Sequence, residues 1–514
     1  MKTLARRALT TNFLAPTLRT TKLRTTTLRT TKLRTTTVRS TTFCAMAMVA
    51  LLVTTGLGAP SSAIAAKAPA KAKKLSWAPC ATDETIQCAT LAVPVDRAFP
   101  AGAKINLALQ RRPAGKGVKK LGSLLTGSGF PGNSGNESMA QDVKAPQLNK
   151  AWLRYDLIGY EHRGTGKSTP IGCATNAQNL GFGPFVGDDK FEEVYSAWVK
   201  DCTNRNLALT AHMSASDSAG DIEAIRVALG EPQLSFQLWN HDATVGATYN
   251  ALYPGRVKNM ALIDPYPLSS STRYVLDQAQ SDESRLAKFV ENCAAATACP
   301  LNAAPGPFAR LDALLAKVQA KPVAVSTDPA DGTIDQREVM SLVVSLLPDE
   351  SDWTALASQL VDLEKGEIKN IDVANLNFST SRYFLSELGG AFWSIACQDG
   401  LYPRSDADWE AFSATLNAES PHTRWAYIGA TAQCANWPIA VAPAVDVARA
   451  TKIPVLVVSR AERLGLPPQW SRAAAATLGG RVFTTTGTWE DCITQPLTDY
   501  FTRNLLPAPD ARCG

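Results

Sequence analysis

Short apolar runs alternate along the chain with segments whose apolar residues recur every three or four positions. Lys104–Arg111 sets Ile and Leu against polar neighbours with a period of two, which predicts a half-buried strand. Leu121–Thr126 and Tyr155–Tyr160 are apolar runs that each lead into a glycine-rich segment. Gln233–Trp239, Val257–Ile263, Ile453–Val458 and Arg481–Thr485 have the same short, bounded character. Helical spacing falls between them. In Ser218–Leu229, Ile222, Ile225 and Leu229 share a face, Ser218 and Asp221 are spaced as a capping box, and Gly230 is a stop signal. Ala243–Leu252 reads as a small-residue helix and Gln469–Leu478 as another. Strands alternating with helices imply an α/β fold with a mostly parallel sheet. From about Tyr266 to Pro443 the alternation stops, and helical patterns such as Ser284–Cys293, Phe308–Gln319 and Asp352–Glu364 replace it. The chain thus divides into a leader (1–65), a linker (66–76), a first core part (77–265), a mainly helical insertion (266–443) and a last core part (444–514). The insertion is expected to cap the C-terminal ends of the strands, where open α/β sheets place ligands.

The leader changes the meaning of the charge. The 514 residues carry a formal net charge of +6, yet residues 1–65 hold ten Lys/Arg and no Asp or Glu. Without them the body is slightly acidic, which excludes an electrostatic footprint for nucleic acid. A five-residue repeat beginning Leu18-Arg19-Thr20-Thr21-Lys22 is too polar to bury a face. The uncharged run Ser40–Ala66, centred on Phe43–Leu57, and the small-residue site Ala63-Ile64-Ala65 complete the pattern of a secretory signal peptide. Cleavage after Ala65 is expected, giving a secreted protein with no stable membrane anchor.

Cys44 leaves with the leader. The remaining ten cysteines, an even number in an exported chain, argue for disulfides. Many connectivities are open; the simplest pairs neighbours in order, as Cys80–Cys88, Cys173–Cys202, Cys293–Cys299, Cys397–Cys434 and Cys492–Cys513. No C-x-x-C occurs, and His162, His212, His241 and His422 are not spaced as ligands, so neither a metal nor another cofactor is expected.

Three blocks carry a resemblance. They are Gly129-Phe130-Pro131-Gly132-Asn133-Ser134-Gly135; Tyr155–Gly159 with Arg163-Gly164-Thr165-Gly166-Lys167-Ser168 and Cys173; and Cys397-Gln398-Asp399 with Cys434, Trp437-Pro438 and the Cys492–Cys513 end. From about Trp77 to Cys513 the chain resembles the secreted tripeptidyl-aminopeptidase-like α/β-hydrolases of actinobacteria. The resemblance implies an α/β-hydrolase fold with a helical cap insertion, and exopeptidase or esterase activity. It also implies an oxyanion pocket built from Gly129 and Phe130, with the His241 N–H as a second arm. Such enzymes use serine, acid and histidine in that chain order, with the serine on a tight Gly-x-Ser-x-Gly turn.

Here that turn reads Leu238-Trp239-Asn240-His241-Asp242, so Asn240 falls at the serine position and Leu238 and Asp242 replace the glycines. The acid position falls on Arg463, beside Glu462, and the histidine position on Glu490. No histidine follows His422. Leu238 and Asp242 are expected to crowd a turn that favours bare Cα atoms. Two readings of Asn240, His241, Asp242, Arg463 and Glu490 stand. One is drift in a wet cavity. The other is a new site, in which Asp242 or Glu490 acts as a base, His241 as acid/base, and Arg463 binds an anion or pairs with Glu490. His162, Ser128 and Ser134 read as structural. Trp239, Trp393, Trp437 and Trp489 read as core aromatics with pocket lining as the alternative. The functional expectation is a non-hydrolytic monomer that binds or transforms a small apolar or peptide-like ligand, for example as a cyclase or isomerase. An active exopeptidase or esterase and a catalytically dead binder are the alternatives.

Overall fold

The computed structural model describes residues 74–144, 152–173, 188–268, 272–325, 333–368, 387–428, 434–450, 452–460, 466–485 and 489–513; for 188–195, 387–388 and 489–491 only the backbone is described. The leader and Arg463 lie outside this set, as do the side chains of Trp489 and Glu490.

The strands are β1 (Ala78–Pro79), β2 (Gln87–Pro94), β3 (Lys104–Arg112), β4 (Gly122–Thr126), β5 (Tyr155–Tyr160), β6 (Leu234–Trp239), β7 (Val257–Ile263), β8 (Val323–Ala324), β9 (Thr333–Ile334), β10 (Val455–Ser459), β11 (Arg481–Thr485) and β12 (Ala511–Cys513). Ten form one sheet in the order β1-β2-β3-β5-β4-β6-β7-β10-β11-β12, and β8 and β9 make a separate hairpin. Pairing is antiparallel as far as the β3–β5 contact and parallel from there on. Both faces of the parallel part are covered, which is why its strands are apolar runs rather than alternations. In β10, Val455 and Val457 enter one core while Leu456 and Val458 enter the other. β3, nearer the edge, alternates buried and less buried positions as its period-two pattern predicts.

The chain runs from β4 out to β5 on one side, then returns to place β6 on the other. The C-terminal ends of β4 and β6 therefore border a topological switch point, the position at which such sheets bind ligands. Between β7 and β10 the described regular structure is helical apart from β8 and β9, with helices that include Arg273–Ala295, Pro307–Ala320, Gln336–Leu346, Trp353–Lys365, Glu387–Gln398 and Asp406–Glu419. The insertion does not separate from the body: Ala72–Gly514 forms one compact unit.

Two helix starts differ from expectation. The helix before β6 begins at Ala215, and its capping box is Ser214 with Asp217, not Ser218 with Asp221. Asp221 has another task; it is fully buried and receives Arg163 (2.7 and 2.8 Å) and Arg97. The helix after β6 starts at Asn240, three residues earlier than its small-residue run suggests. All five disulfides pair neighbouring cysteines in order.

Candidate active site at the elbow after β6

β6 ends at Trp239, and Asn240 turns the chain directly into the Asn240–Leu252 helix with a φ of 43°. Asparagine tolerates this left-handed conformation better than most residues. The elbow thus keeps its sharp strand-to-helix form without glycine on either side. Leu238 does not crowd it, because its side chain occupies the space left open at Gly246: a Cβ there would stand 2.2 Å from Leu238 Cδ1. Asp242 is accommodated in the same way by Gly127, whose absent Cβ would stand 2.2 Å from Asp242 Oδ2. The expected crowding is absorbed by glycines elsewhere.

Asn240 is held by its amide. Its Nδ2 donates to the Asp264 carbonyl at 2.9 Å, and its own backbone carbonyl accepts from Tyr266 N at 3.1 Å. Asp264 follows β7 with a φ of 44°, and its carboxylate receives both the backbone N–H and the Nε of Arg460, which follows β10. The Arg460 guanidinium also lies 4.7 Å from the Trp239 ring centroid.

Two of the donors assigned to an oxyanion pocket, His241 N and Gly129 N, are engaged inside the protein. His241 N donates to the Gly129 carbonyl at 2.8 Å, and Gly129 N approaches Asp242 Oδ2 at 3.4 Å. Gly129 has a φ of 92° and passes so close to the elbow that a Cβ would stand 2.8 Å from Asn240 Oδ1. Phe130 instead stacks on Phe392 of the insertion, ring centroids 4.9 Å apart. Ser128 Oγ donates to Asn133 O within the loop and Ser134 Oγ to Glu161 just past β5, so both hydroxyls are engaged in holding the loop.

Two histidines converge on the elbow from different elements. His162, just past β5, meets Asp242 at 2.8 Å, and both are buried. Burial alone drives each toward its neutral form. The opposed charge and the hydrogen bond outweigh it, leaving His162 above and Asp242 below the usual range. His241 points elsewhere: its Nε2 lies 2.8 Å from Asp399 Oδ2, and Asp399 Oδ1 accepts the Ala215 N–H at 2.9 Å. Asp399 directly follows the Glu387–Gln398 helix, so the insertion supplies the partner. The pair borders a cavity of about 130 Å³. Sequence reasoning placed His241 here but gave Asp399 no role, since no local spacing links residues 158 apart. Of the four tryptophans, Trp393 and Trp437 are buried core residues and Trp239 is half-buried under Arg460.

A strand–elbow–helix at a switch point of a mostly parallel sheet, roofed by helices, defines the α/β-hydrolase fold. Residues 124–316 match the family described as "alpha/beta hydrolase fold", and residues 421–513 match "TAP-like protein". A "Tripeptidyl aminopeptidase" of Streptomyces lividans is 26% identical, covering 89% of this chain and 89% of its own. "Serine protease Hip1" of Mycobacterium tuberculosis is 27% identical over 91% of this chain and 96% of its own. "Carboxylesterase B" of the same species is 27% identical over 87% and 91%. These matches, spread over most of the chain, support a TAP-like α/β-hydrolase relationship.

Proposed function

We propose that this chain is a secreted, monomeric α/β-hydrolase-fold protein that does not hydrolyse by a serine route, and that it binds or transforms a small apolar or peptide-like ligand. The observation that carries this reading is the state of the elbow. The residue presented there is an asparagine whose carboxamide is tied to Asp264, and the following N–H is tied to Gly129. A carboxamide nitrogen is a poor nucleophile, because its lone pair is delocalised into the carbonyl. A donor already paired with a carbonyl does not stabilise a developing oxyanion without first breaking that bond. What remains available is a cavity with an imidazole–carboxylate pair on its wall. The leader's signal pattern and the five disulfides support export. Among the described residues no helix is long and apolar enough to cross a membrane.

The relatives' names favour the second reading, an active exopeptidase or esterase. A fluorophosphonate probe separates the two when an active tripeptidyl aminopeptidase is treated in parallel. We expect no stoichiometric serine adduct on this chain by intact mass. One serine labelled to completion would establish the second reading instead.

A further inference from the structure

We infer that His241 and Asp399 form a ligand site beside the elbow, taking a small uncharged molecule that offers an O–H or N–H donor to His241 Nδ1. This deepens the non-hydrolytic reading by naming the ligand class. The geometry assigns the two ring nitrogens different tasks. Asp399 Oδ2, an acceptor when ionised, lies 2.8 Å from Nε2, so in the neutral ring Nε2 carries the proton and Nδ1 the lone pair. Nδ1 has no hydrogen bond to any described residue, and His241 lines the cavity. The carboxylate is itself fixed, because its other oxygen accepts the Ala215 N–H. Its neighbour Gln398 donates to the Thr210 and Ser394 carbonyls and accepts Met213 N, so the segment presenting Asp399 is pinned to the body. An imidazole oriented this way is a preformed acceptor.

The remaining walls decide the ligand's character. Thr244 and Thr248 lie on the same helix face as His241, while Pro267, Leu268 and Leu401 supply an apolar side. His241 and Asp399 are the ionisable members of the lining, and both Asp399 oxygens already accept donors. An anion would face that carboxylate, and an ammonium would give up its hydration for a carboxylate whose two oxygens already accept His241 and Ala215. A neutral ligand meets neither cost. The volume of about 130 Å³ lies well below the roughly 300–1,000 Å³ of pockets for drug-sized ligands, which selects a molecule of a few heavy atoms such as a short primary amide or alcohol.

The test uses the full mature chain with ¹⁵N-labelled histidine rings, His241 being assigned by loss of its signals in His241→Gln. The free protein should show Nε2 protonated and Nδ1 unprotonated. Butyramide should shift the Nδ1 resonance saturably, whereas butyrate and butylammonium should leave it in place. Asp399→Asn should weaken butyramide binding about tenfold or more. Ala442→Trp, which adds bulk at a lining residue outside the pair, should abolish the shift while keeping the free-state His241 signals. An Nδ1–H tautomer in the free protein, a resonance indifferent to butyramide, or unchanged affinity in Ala442→Trp would each overturn the assignment. Serine labelling by a fluorophosphonate would defeat the non-hydrolytic reading and leave this titration unaffected, so the two failures are distinguishable.

Discussion

At the scale of single residues, the ion pair between His162 and Asp242 explains why an aspartate is tolerated where the turn favours glycine. Both side chains are buried, with 3% and 2% of their surfaces exposed, and each makes the other's charge tenable. Removing one partner strands the other, which typically costs about 3–5 kcal/mol for a buried pair. Asp242→Asn should therefore destabilise more than the double change Asp242→Asn with His162→Gln, which leaves no lone charge. The pH dependence follows from the two shifts. His162 is raised, so its contribution is complete below its ordinary value of 6.5 and is lost as pH rises through the raised value. Asp242 is lowered, so its contribution is complete above its ordinary value of 3.8 and is lost as pH falls through the lowered value. The stability gap between the wild-type chain and the double variant should be widest between about pH 4 and 6.5 and shrink on either side. Urea midpoints measured from pH 3 to 9 check this; a constant gap would contradict it.

At the scale of elements, the elbow is held by glycines that face it rather than by glycines within it. Gly246 lies nearly two turns into the helix and receives Leu238, while Gly127 follows β4 and receives Asp242. Gly246→Ala should push a methyl into Leu238 and cost about 1–3 kcal/mol, the usual range for overpacking. Leu238→Ala in that background should recover part of the loss, so the double variant is more stable than the sum of the singles predicts. Additive costs in chemical denaturation would remove the packing argument. The same element shows what was legible in the sequence. The strand and the helix could be read from local periodicity, and the elbow residue only from the family resemblance, counting back from Gly246-Ala247-Thr248-Tyr249. The compensation could not, because Gly127 meets Asp242 only once β4 and β6 pair. The capping box failed for a related reason. Ser214/Asp217 and Ser218/Asp221 have identical spacing, and Arg163, arriving from the loop after β5, together with Arg97 draws Asp221 away from the cap role. Asp399 was visible as part of a matching block but not as the partner of His241, which contacts it across the junction of insertion and core.

At the scale of the whole molecule, the insertion completes the site rather than merely covering it. Asp399 and Gln398 reach the segment 210–215 through hydrogen bonds, and the Cys397–Cys434 disulfide anchors the end of the helix that carries them. That bridge spans 37 residues of the insertion, whereas Cys80–Cys88 spans eight at the sheet edge between β1 and β2. Cross-linking restricts the unfolded chain more for the longer loop. The entropy estimate gives about 4 kcal/mol for the first bridge and about 2.5 for the second, with strain and residual structure able to reduce either. The two also differ in what they hold. Losing Cys397–Cys434 releases the residues next to Asp399, so the variant Cys397→Ala with Cys434→Ala should lose stability and disturb the His241 ring signals together. Cys80→Ala with Cys88→Ala should lower stability by less and leave those signals in place, because β1 and β2 lie at the far edge from β6. Equal effects of the two double variants on the His241 ring would mean that the insertion does not position Asp399 through this bridge, and that the backbone bonds of Gln398 and Asp399 suffice.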